Sequence, residues 1–126
     1  MKFFLSIVLA ITCAVSVSSC YYDKEDLLYG GNNAPCTDTT GTISYTQKVV
    51  PMFQQYCYSC HTGAFPSGNV LMGTYAADKT IAQNGTLYGS INHSPGFSPM
   101  PQGTPKMNKC QIAAIKKWID SGMLNN

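Results

Sequence analysis

The apolar residues of this chain take up three kinds of spacing in turn. From Phe3 to Val17 they run almost without a break, interrupted only by Ser6, Thr12 and Ser16. A run that short and that polar falls below the roughly 20 apolar residues a membrane-crossing helix needs. With Met1 and Lys2 as a short positive start, it has the order of a secretory signal. From Tyr21 to Pro35 no period survives. Asp23, Glu25 and Asp26 lead into Gly30-Gly31, two Asn and Pro35, the composition of a flexible tether.

Helical spacing begins after that. Ser44 is placed to cap a helix running from Thr46 to Tyr56, with Val49, Val50, Phe53 and Tyr56 as its apolar contacts. Pro51 interrupts this stretch, and the helix is expected to restart there, because proline sits best in a first turn. Residues 63–105 hold seven of the 11 Gly and five of the seven Pro, so most of that middle region is expected to be loop. Within it, Thr74 to Gln83 reads as a helix stopped by Asn84-Gly85, and Leu87 to Ile91 as one short turn. The final segment has the strongest signal. Asn108 and Gln111 match a capping box, and Cys110, Ile112, Ala113, Ala114, Ile115, Trp118 and Ile119 form a wide apolar face. Lys116 and Lys117 mark its wet side, and Gly122 its end. No stretch alternates as a strand does. The expected fold is all-α: a small, loop-rich domain.

Composition narrows the function classes. A chain of 126 residues has room for one domain. It carries eight Lys and six acidic residues but no Arg, for a formal charge of +2. Lacking the guanidinium fork, it is not expected to recognise nucleic acid. Six Cys in so short a chain point to export or to a cofactor site. Val17-Ser18-Ser19-Cys20 resembles a bacterial lipobox, in which the cysteine becomes the acylated first residue. The expected division is a signal peptide over 1–19, a lipidated Cys20 with its tether over 20–35, and a folded domain over 36–126. The product would be an exported lipoprotein, membrane-anchored in the periplasm or on the cell surface.

Cys57-Tyr58-Ser59-Cys60-His61 is a C-x-x-C-H sequence, the attachment signature of c-type haem. Thiols at i and i+3 lie on one side of a helical turn, where both can bond the two vinyl groups of one haem. The adjacent His61 then offers its imidazole to the iron. Half a zinc site is the first alternative, but Cys36 and Cys110 stand singly and form no second C-x-x-C. A thioredoxin-like redox pair is the second, and it needs a βαβ context with no sign in this chain. The opposite iron ligand is expected to be Met100, held in Ser98-Pro99-Met100-Pro101-Gln102-Gly103 between two prolines. Met52, Met72, Met107 and Met123 read as packing residues or exposed ones. His93, in a polar loop, is the competing ligand and would make the iron bis-histidine.

Taken together, VVPMFQQYCYSCH, GFSPMPQG and IAAIKKWIDSG resemble the class I cytochrome c family, specifically small monohaem domains carried on bacterial lipoproteins. The resemblance covers Ser44 to Gly122. It implies N- and C-terminal helices packed together around one covalently bound haem c, with His61 and Met100 as axial ligands. It also implies that Phe53, four residues before the first haem cysteine, packs against Trp118 and Ile115. Pro66 would correspond to the family's proline whose carbonyl orients the haem histidine. The implied function is one-electron transfer between redox protein partners, without catalysis. A peroxidase-like haem enzyme or sensor with an open distal site is the alternative, and a structural lipoprotein without haem is a third reading.

The cysteine arithmetic leaves one pair. Cys13 departs with the signal, Cys20 takes lipid, and Cys57 and Cys60 take haem. Cys36 and Cys110 are then expected to form a disulfide in an oxidising compartment, with two buried thiols as the alternative. A bridge closing 74 residues would contribute at most about 4 kcal/mol in the chain-entropy model.

Overall fold

The structure is a computed structural model that describes Cys36 and residues 39–126. The export segment, Cys20 and the expected tether lie outside the described residues. Ser44 caps the first helical stretch as its position predicts, its Oγ accepting the Gln47 N–H at 3.3 Å. The first turn, Tyr45–Val49, is a π turn, and helix α1 follows over Val50–Tyr56. Pro51 explains the wide turn. It has no N–H to donate, and its ring would collide with the carbonyl four residues back in a regular α-helix. The i→i−5 bonds from Val49 to Ser44 and from Val50 to Tyr45 carry the chain to Pro51, which then sits in the first turn of α1.

The backbone bends at Cys57 (φ −126°) into the short helix α2, Tyr58–His61. A 3₁₀ turn follows at Ser67–Asn69. Helix α3 spans Tyr75–Gln83 with Thr74 as its N-cap, and α4 spans Thr86–Ile91. Helix α5, Lys109–Asp120, starts with the expected capping box: Asn108 Oδ1 accepts the Gln111 N–H at 2.9 Å, and Gln111 Oε1 accepts the Asn108 N–H at 3.1 Å. It ends in a Schellman motif. Gly122, with φ 90°, donates its N–H to Ile119 O, and Met123 donates to Trp118 O. Among the described residues there are five α-helices and no strand, so the all-α expectation holds at that level.

The core forms where α5 meets the first helical stretch. Trp118, Phe53, Ile115 and Val49 are fully buried. The Phe53 and Trp118 rings meet edge to face with centroids 6.3 Å apart, and Tyr45 stacks on Trp118 at 5.4 Å. The Trp118 indole N–H donates to Leu124 O at 3.0 Å, so its one polar atom is satisfied. Met52, Met72 and Met107 are buried in this core, and Met123 packs against it. Cys36 and Cys110 are bonded, with Cα atoms 5.2 Å apart, and the bridge ties the start of the domain to the first turn of α5.

Candidate functional site

The C-x-x-C-H segment lies on the bend and helix between α1 and the following loop. Cys60 and His61 both donate their N–H to Cys57 O, at 3.1 and 3.0 Å, so the motif closes one helical turn. Thr62 Oγ1 donates to Tyr58 O at 2.7 Å and supports the end of that turn. Cys57 is partly buried and Cys60 exposed, and both are free thiols. Burial first, then the negative charge of Asp78, push the Cys57 thiol up to about 12. Among the described residues no three His, Cys, Asp or Glu side chains gather as a zinc site would need.

His61 is oriented by the backbone. Its Nδ1 lies 3.1 Å from Ser67 O and 3.2 Å from Val70 O. A carbonyl oxygen can only accept, so Nδ1 carries the hydrogen and Nε2 the lone pair. The loop that supplies these carbonyls leaves His61 and returns to it, because Met72 N–H donates to His61 O at 2.7 Å. Pro66 does not play the expected part: its carbonyl accepts the Asn69 N–H. The 3₁₀ turn after Pro66 instead aims the carbonyls of Ser67 and Val70 at the imidazole, and Ser67 O does so while also accepting the Val70 N–H.

Met100 stands apart from the other described methionines, since it is only half-buried and outside the core cluster. Its backbone is held on both sides. Met100 N–H donates to Ser90 O at 3.1 Å, and His93 Nε2 donates to Met100 O at 3.0 Å. The His93 ring nitrogen that faces this loop therefore carries hydrogen and is spent on Met100's own carbonyl. Phe97 lies over Gly89 so closely that a Cβ there would sit 2.5 Å from the ring. Glycine at 89 thus lets the loop before Met100 settle on α4. Phe65, 97% exposed, and the exposed Leu71 and Phe97 leave apolar surface on the segments beside His61 and before Met100.

A buried acidic site beside the motif was not expected. Asp78 on α3 is fully buried, and its Oδ2 accepts the hydroxyls of Tyr58 at 2.6 Å and Tyr45 at 2.8 Å. Its Oδ1 accepts the Gly73 N–H at 3.0 Å. The sequence held one signal for it. Tyr75, Asp78 and Ala82 fall at i, i+3 and i+7, which places the carboxylate on the inward face of α3. Burial, then the Asp78 hydrogen bond and charge, push the Tyr45 hydroxyl up to about 12, and the same causes in the same order push Tyr58 up further. In the unfolded chain both phenols lose their protons near 10. Their contribution to stability is therefore complete below pH 10 and is lost as pH rises toward and beyond 12. The thermal midpoint should fall steadily above pH 10, and the Tyr45→Phe, Tyr58→Phe double variant should flatten that fall. A profile equally steep in wild type and double variant would contradict this.

No protein-family model matches the chain, and neither a curated protein nor a solved structure matches it.

Proposed function

We propose that this chain is a monohaem c-type cytochrome, exported and tethered to a membrane by acyl chains on Cys20, that passes single electrons between redox protein partners. The observation that carries this reading is the C-x-x-C-H turn with the His61 Nδ1–H tied to two backbone carbonyls. Such a bond fixes the tautomer, orients the ring and raises the basicity of the free nitrogen, as ligating histidines require.

The remaining residues fit the group. Cys57 and Cys60 would hold haem through two thioethers, and His61 Nε2 and the Met100 thioether would be its iron ligands. The bare apolar side chains of Phe65, Leu71 and Phe97 are surface that a flat apolar macrocycle can cover. The haem would supply reversible one-electron chemistry at the iron. The protein's part would be to hold the iron through His61 and Met100, leaving no place on it for a substrate. A methionine ligand favours the reduced iron and raises the potential. His93 is the weaker ligand candidate because its Nε2 is occupied by Met100 O.

A redox-difference spectrum with haem staining of a denaturing gel tests the reading. Covalent low-spin haem with a Met–iron charge-transfer band is the expected result. A high-spin ferric spectrum would favour the haem enzyme or sensor, and an unstained band would remove haem altogether. Met100→Ala should convert part of the iron to high spin and lower the potential. His93→Ala should do so to a smaller extent, since it removes only the bond that holds the Met100 carbonyl. High spin from His93→Ala with Met100→Ala silent would make the iron bis-histidine.

A further inference from the structure

We infer that Asp78, held by Tyr45, Tyr58 and the Gly73 amide, lowers and sets the reduction potential of the centre attached at Cys57; this rests on the haem reading above. Three facts carry it. The carboxylate is fully buried, so solvent screens its charge poorly. Its donors are two phenols and one backbone amide, which stabilise an anion by hydrogen bonding without cancelling its charge. One of those phenols belongs to Tyr58, inside the C-x-x-C-H turn and next to Cys57.

The field reaches the motif, since Asp78 Oδ2 accepts at 2.6 Å the hydroxyl of Tyr58, which directly follows Cys57 in the C-x-x-C-H turn. The same field acts on any electron added to a centre bonded to the Cys57 sulfur. Reduction of ferric to ferrous iron adds one negative charge, and a fixed neighbouring anion opposes it. Asp78 thereby offsets the upward pull of a Met ligand, and the two phenols tune how much of its charge is felt.

The test is an equilibrium redox titration of the purified, detergent-solubilised full chain with its haem. Asp78→Asn keeps the shape and removes the charge, so the midpoint potential should rise. Tyr58→Phe keeps the charge and removes one donor, so the potential should fall. These opposite signs are what a bracing role does not produce, since both variants loosen the same cluster. Thermal midpoints and circular dichroism on the same samples show that the fold is retained. An Asp78→Asn potential that is unchanged or lower overturns the inference. Should Asp78→Asn not accumulate, Tyr58→Phe decides: a fall supports the inference, and no change or a rise overturns it. Wild-type chain without covalent haem would overturn this inference together with the proposed function. Haem-bearing chain with a potential indifferent to both variants would overturn this inference alone.

Discussion

Replacing Cys57 and Cys60 together by alanine should, on the haem proposal, leave protein with no covalent haem and little folded chain. The reason is size. The domain of about 90 residues expected over 36–126 buries a modest fraction of its surface and depends on staples or a cofactor for much of its stability. The Cys36–Cys110 bridge is one such staple. The other would be the haem, a large apolar body covering the exposed side chains beside His61 and before Met100. Without both thioethers, that surface stays open to water and the loop around His61 loses its anchor. The measurement is haem staining together with the yield of protease-resistant protein, wild type against double variant. Normal yield of folded, haem-free protein would show that the core suffices by itself and would remove the structural part of the haem proposal.

Trp118→Ala should cost about 3–5 kcal/mol, as large-to-small changes of buried aromatics do. That is much of the roughly 5–15 kcal/mol that holds a domain together. Trp118 is buried between Phe53 and Tyr45, and its indole N–H is bonded to Leu124 O. Truncation would open a cavity at the junction of α5 with the first helical stretch, where the surrounding helices are held by a disulfide and two caps and can collapse little. It would also leave the Leu124 carbonyl without its donor. Urea titration of the variant should show a much lower midpoint with a similar slope. A loss below about 1 kcal/mol would mean that the junction relaxes around the gap. This result does not depend on any cofactor.

Local rules carried a large share of this fold. The Ser44, Thr74 and Asn108 caps, the Gly122 stop and the helices near their expected bounds are each written in a few neighbouring residues. Periodicity likewise placed Trp118 and Ile115 on the buried face of α5, and the cysteine count paired Cys36 with Cys110. The π turn before Pro51 was partly legible. Proline announces a disturbance, but which hydrogen bonds replace the lost one is settled by the helix around it.

The site divides in the same way. Haem attachment and iron ligation, as proposed, need particular side chains at particular spacing, so Cys57, Cys60, His61 and Met100 can be singled out as candidates from the chain alone. What orients those groups is backbone. The carbonyls of Ser67 and Val70 that fix His61, and the Met100 carbonyl that occupies His93, are atoms every residue possesses, and they leave no mark in a sequence. That is why Pro66 was expected where its neighbours serve. Asp78 belongs to the same class. An acidic residue reads as surface until its donors converge on it: the Gly73 amide is near in the chain, but only tertiary packing brings Tyr45 and Tyr58 to the same carboxylate. The sequence by itself therefore determined the helices and their ends and singled out the candidate reactive groups, because those are set by short-range sterics and residue chemistry. Tertiary structure alone decided the orientation of His61, the holding of Met100 and the burial of a charge beside Cys57, because the first two depend on how loop backbone folds back on itself and the third on tyrosines 33 and 20 residues away.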